Sequence, residues 1–111
     1  MNQTWKAFER EVSRVFGWER KPLSGANSKH GGGDVIVPPG YNAFIECKYR
    51  ANNQHVTQFR LAQADAERNH IAKENTMLFV KLKNKHDYTV TISGGMFERM
   101  WGIEAVRDLF L

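Results

Sequence analysis

The sequence predicts a mixed α/β domain, a central sheet with a helix on either side. Three observations carry this. An amphipathic stripe at ~100° per residue opens the chain. Two apolar, β-prone runs, AFIECK (43–48) and TMLFVKL (76–82), flank a helical stretch. Glycine- and proline-rich punctuation separates these segments. At 111 residues the chain has the length of one domain, and residues 1–111 are read as a single unit.

Thr4 is placed to cap a first helix that runs to about Phe16 and stops at Gly17. Its apolar stripe is Trp5, Phe8, Val12, Val15 and Phe16. A short strand fits residues 18–21, and SGANSKHGGG (24–33) reads as an exposed loop. DVIV (34–37) reads as a strand stopped by Pro38-Pro39-Gly40 and paired as a hairpin with a second strand, residues 43–48. Asn52 and Asn53 open a loop. A helix follows from about His55 to Lys73, with Val56, Phe59, Ala62 and Ala66 on its apolar face. Residues 76–82 form a buried strand, 83–87 a turn and 88–92 an edge strand. From Met96 the chain is helical, with a break near Gly102. The predicted order is α-β-β-β-α-β-β-α, with no internal repeat.

Composition narrows the function classes. The net charge is +4 and the pI near 9.4, a balance that favours polyanionic partners. No apolar run approaches the ~20 residues of a membrane span, and residues 1–10 show no secretory h-region. Cys47 is the only cysteine, which excludes an intrachain disulfide and argues against a cysteine zinc site. His30, His55, His70 and His86 lack metal-site spacing and read as surface residues. Together these point to a cytoplasmic protein, with no membrane partner and no small-molecule cofactor.

The chemistry concentrates in the hairpin. Strand alternation puts Phe44, Glu46 and Lys48 on one face and Ala43, Ile45 and Cys47 on the other. The first face begins apolar and ends ionic, as a strand does when it leaves a core at a site. The Pro-Pro-Gly turn can bring Asp34 beside Glu46. Two carboxylates and an ammonium suit a Mg²⁺ site, since hard oxygen ligands bind that ion. The ion polarises a phosphate and acidifies a bound water, and the lysine orients that water or stabilises the transition state. An alternating charged surface strand with a Glu–Lys ion pair would have the same residues, and these three alone leave the choice open. Glu9 adds weight to the site. On the first helix it falls at the rim of the apolar stripe, facing the sheet, where a carboxylate is costly unless paired or metal-bound. It either completes the site or pairs with a basic residue at the core edge. Arg10 points away, and Glu11, on the other rim, is the weaker candidate.

In FERE (8–11), PLSG (22–25), GGGDVIV (31–37) and AFIECKYR (43–50), the chain resembles the PD-(D/E)xK nuclease superfamily. Within it, the likeness is to archaeal-type Holliday junction resolvases, which some bacterial viruses also carry. The match covers the first half; the second shares only the helix-then-strand order. The resemblance implies a restriction-endonuclease-like domain, a central mixed β-sheet flanked by helices. It implies that Asp34, Glu46 and Glu9 hold Mg²⁺, with Mn²⁺ as a substitute, and that Lys48 assists the attacking water. Arg10, Arg20, Lys21, Ser24, Lys29 and Arg50 would contact DNA. The expected activity is resolution of four-way junctions by a homodimer, in a prokaryotic or virus-infected cell. Gly33 stands where a proline often precedes the first aspartate, and the loop between Ser24 and Asp34 is longer than in the nearest pattern.

Other features are weighed beside these. Gln58 is either a polar residue near the site or a solvated helix residue. Lys81, Lys83 and Lys85 could extend a basic track. Phe97, Trp101, Ile103, Val106, Leu109, Phe110 and Leu111 either cover the sheet or join a dimer interface. The rival functions are another nuclease of the superfamily (restriction-like, repair or nicking), a non-catalytic DNA-binding protein of the same fold, or a basic protein-interaction module.

Overall fold

The computed structural model describes residues 4–21, 33–50, 54–83 and 85–111. Ser24, Lys29, His30, Asn52 and Asn53, with most of the loop expected over 24–33, lie outside the described residues. Of Arg50 only the backbone is described.

Helix α1 spans Trp5–Phe16. The Thr4 hydroxyl accepts the Ala7 N–H at 3.1 Å, and Gly17 closes the helix in the left-handed region at φ 71°, where a glycine costs least. The buried arc is Phe8, Glu9, Val12 and Ser13. Val15 and Trp5, expected in the apolar stripe, are instead 57% and 47% exposed. The face is rotated toward Glu9, which therefore points at the sheet.

Three regular strands follow, β1 (Phe44–Arg50), β2 (Thr76–Leu82) and β3 (Thr89–Ile92), in the order β1-β2-β3. β1 and β2 are parallel, with Phe44 opposite Thr76 and Lys48 opposite Val80. β3 runs antiparallel to β2, with Val80 opposite Thr89. The parallel pair requires a crossover, which helix α2 (His55–Arg68) supplies. Ile45, Cys47 and Phe79 pack with Phe8 and Val12 of α1. Phe44 packs with Ala62 and Ala66, and Leu78 and Val80 with Phe59, all from α2. Alternation along the strands thus sends odd-numbered residues to α1 and even-numbered ones to α2. The chain is α/β, with a small mixed sheet between two helices.

The predicted hairpin is corrected. Among the described residues, 34–37 form no regular strand, and 18–21 contribute only an antiparallel bridge between Arg20 and Val35. The Pro38-Pro39-Gly40 turn forms as read, with Tyr41 N–H donating to Pro38 O at 3.2 Å and Gly40 at φ 94°, a type II geometry. The ladder fails because proline brings no donor and because a side chain takes its place, as the site shows below. Helix α2 also ends earlier than Lys73. His70 adopts φ 63°, Ile71 N–H donates to Ala66 O at 2.9 Å and His70 N–H to Glu67 O at 3.0 Å. This is a Schellman stop made without glycine, and Ile71 packs back on Ala66.

The tail forms α3 (Gly94–Met100), capped by Ser93, and α4 (Ile103–Asp108), with the break at Trp101-Gly102. Much of its apolar load stays exposed: Phe97 is 43% exposed and Phe110 83%, while Met96 is buried. No helix among the described residues is long and apolar enough to cross a membrane.

Candidate active site

Asp34 is anchored against β1 by its own carboxylate. Its N–H donates to Ile45 O at 2.8 Å, and its Oδ2 accepts the Cys47 N–H at 2.8 Å. A β1 amide that a neighbouring strand would have taken is thus satisfied by a side chain, which fixes the carboxylate at the sheet edge. Gly33 makes this approach feasible. It sits at φ +87°, and a Cβ there would lie 2.9 Å from Ile45 O. A proline cannot take that φ, so glycine at this position has a steric reason. Gly33→Ala is expected to lower stability by about 1–3 kcal/mol, read by urea denaturation. A variant as stable as the parent would show that this backbone relaxes freely.

Glu46 and Lys48 occupy the α2-side face of β1, as alternation predicts. Glu46 is hydrogen-bonded to the Asp34 side chain. Its carboxyl is pushed up to about 9, first by burial, then by that hydrogen bond and the Asp34 charge; Lys48 pulls the other way and Glu9 adds a little to the rise. Burial beside a second carboxylate thus favours the protonated form of Glu46 at neutral pH. Cys47 belongs to the opposite face. Burial above all, with the nearby carboxylates, pushes its thiol far up, so it is no nucleophile at neutral pH.

Glu9 does reach this end of the sheet, 5% exposed. Its Oε1 accepts from Arg20 Nε at 2.8 Å, and the Arg20 guanidinium lies 5.7 Å from the Trp5 ring centroid. Of the two roles open to Glu9, the structure displays pairing with a basic residue at the core edge. Arg20 is thereby tied to the acid rather than turned out toward a phosphate. Lys21, expected to contact DNA, is 1% exposed and under the charges of Asp34 and Glu46; burial is the larger influence and pulls its ammonium below the ordinary lysine value. Arg10 is exposed. Lys81 leaves the proposed basic track, since it is 6% exposed and bonds Glu11 Oε1 at 3.1 Å, tying α1 to β2. Gln58 is half-buried on α2.

Asp34, Glu46 and Lys48 are thus brought together, with Lys21 as a neighbour whose burial nothing in the sequence announced. Among the described residues no cluster of three or more His, Cys, Asp or Glu side chains forms a ready metal cage. The donor set that fits a hard divalent ion is the Asp34–Glu46 pair, two carboxylates at the sheet edge that act on one another electrostatically. A cleft of about 250 Å³ on the α2 side beyond β2 has Asp87 as its one carboxylate, beside His55 and Lys85. Its lining has no second carboxylate. No family model matches the chain, and neither a curated protein nor a solved structure is significantly similar to it.

Proposed function

We propose that the chain is a Mg²⁺-dependent DNA endonuclease of the PD-(D/E)xK superfamily, with a restriction-endonuclease-like fold, that resolves four-way junctions. The observation that carries the proposal is the Asp34–Glu46 pair: two carboxylates held together at a sheet edge, one driven to keep a proton, with Lys48 two residues along the same strand face. Such a pair is poor in the absence of a cation and well suited to one. Asp34 and Glu46 would hold the ion, and Mg²⁺ bound there supplies Lewis-acid chemistry to a phosphodiester. Lys48, on the same face, would orient or deprotonate the attacking water. Glu9 acts through the field it adds and through its hold on Arg20.

The basic balance of the chain suits a DNA backbone, and Arg10 is exposed on α1 to meet it. Homodimerisation is part of the proposal, because two symmetric cuts suit a four-way junction and the exposed tail (Phe97, Trp101, Leu109, Phe110) offers apolar surface for a second copy. The test is incubation with four-way, flap and linear duplex substrates, with Mg²⁺, Mn²⁺ or chelator. Metal-dependent cutting of the four-way substrate in preference to the others is expected. Equal cutting of linear duplex would move the protein to another branch of the superfamily. Binding without cutting would leave a DNA-binding protein of the same fold.

A further inference from the structure

We infer that the cleft between α2 and β3 is a pocket for one unstacked nucleobase of the DNA strand bound at Lys48. The inference rests on the nuclease reading of the site and gives it a source of preference for branched over linear DNA.

The strand registers place the cleft. Lys48 lies opposite Val80, and Val80 lies opposite Thr89. Directly opposed residues share a face of the sheet, so Lys48, Val80 and Thr89 form one row on the α2 side. Thr89 ends that row two strand spacings, about 10 Å, from Lys48. Val80 and Thr89 both line the cleft, with Leu82 further along β2. The cleft therefore begins one strand away from the lysine, toward the carboxyl ends of the parallel strands, where open α/β sheets bind their ligands. His55, the first residue of α2, and Thr89 share a hydrogen bond of 2.6 Å between Nε2 and Oγ1, which ties helix to strand at the cleft wall.

The volume, about 250 Å³, is below the ~300–1,000 Å³ of pockets for drug-sized molecules and suits a single ring system. Val80 and Leu82 give apolar surface, and Asp87 and Lys85 add one charge of each sign at exposed positions. A phosphate would meet the Asp87 charge, and an apolar ligand would strip water from both charges without replacing it. A nucleobase is flat and neutral and carries donors and acceptors on its edge. Its faces suit Val80 and Leu82, its amino group Asp87, and its carbonyl or ring nitrogen Lys85. A stacked, paired base cannot enter. Unstacking costs least where pairing is already broken, as at a branch point.

The test uses the full chain and four-way junctions in which each nucleotide flanking the cut is replaced, one at a time, by an abasic residue. In the wild type one position should lose about tenfold or more in cleavage with Mg²⁺, the scale of one good base contact. Thr89→Phe fills the cleft. It should lose a similar factor on the intact junction and show no further loss at that abasic position. Asp87→Asn, at an exposed position, serves if Thr89→Phe fails to fold. The wild type should cut about tenfold more slowly with thymine at that position than with adenine or cytosine, and Asp87→Asn should cut all three alike. A binding measurement needs no cleavage: in chelator, 2-aminopurine at a branch-point position should brighten on binding wild type and stay dim with Thr89→Phe. Cleavage by wild type that no abasic residue alters overturns the pocket and leaves the nuclease, as does an abasic loss of equal size in Thr89→Phe. Absence of cleavage with Thr89-dependent brightening overturns the nuclease reading alone; absence of both overturns the two together.

Discussion

Asp34→Asn is expected to cut junction cleavage by about a thousandfold or more, and Glu46→Gln by a similar factor, while junction binding persists. A divalent ion contributes several kcal/mol of transition-state stabilisation, and each ~1.4 kcal/mol is tenfold in rate. The Asn oxygen can still accept the Cys47 N–H that Asp34 Oδ2 takes at 2.8 Å, so the edge of the sheet should survive. What goes is the charge that draws the metal. Binding is carried by basic groups meeting phosphates and should weaken with salt as in the parent; removing an acid does not remove those contacts. Lys48→Ala should also lose cleavage while still binding metal, because Lys48 is no ligand. Cleavage by Asp34→Asn or Glu46→Gln at the parent's rate would sink the assignment of the site. Loss of binding together with cleavage would instead indicate a disturbed fold, which the thermal midpoint of the same sample resolves.

Much of this site is visible in one dimension because it is built on strand alternation. Glu46 and Lys48 share a face wherever β1 begins, and the apolar run of β2 marks its own bounds, Thr76–Leu82 as predicted, whereas β1, expected over 43–48, runs Phe44–Arg50. Helix periodicity likewise turns Glu9 toward the sheet. The sequence places Asp34 beside Glu46 through a hairpin ladder, whereas a side-chain hydrogen bond to Cys47 anchors it there. Burial of lysines was not legible. Lys81 is buried where Glu11, seventy positions earlier, meets it, and Lys21 on a segment whose backbone is bonded to Asp34. Lysine patterns look like surface until distant acids are placed. The stop of α2 at Asn69-His70 was missed for a local reason, since the left-handed residue is His70 where the usual signal is glycine.

Without metal, the protein is expected to lose stability as pH rises from about 5 to 8, and Glu46→Gln to remove most of that loss. The Glu46 carboxyl is raised from 4.5 to about 9, so between those values the folded state binds a proton that the unfolded chain has released. The unfolding free energy therefore falls with rising pH across this window. The favourable contribution is complete below the unfolded value and is lost as pH passes through the folded one. The slope approaches ~1.4 kcal/mol per pH unit for one full proton, and a difference of about 2–4 kcal/mol between pH 5 and 8 is expected. The groups that set it are Asp34 on the neighbouring segment, Lys48 on the same strand and Glu9 from α1. Lys21 works in the opposite sense at the alkaline end, because burial lowers its value and stability then rises with pH toward the ordinary lysine range. The diagnostic quantity is therefore the wild-type-minus-variant difference, from urea denaturation in chelator at both pH values. Glu46→Gln should gain on the wild type as pH rises; parallel pH profiles would mean that Glu46 ionises freely. Saturating Mg²⁺ at pH 8 should then stabilise the wild type more than Glu46→Gln, because a ligand that binds only the folded state adds stability in proportion to its affinity, and the variant has lost one of the two carboxylates that hold it.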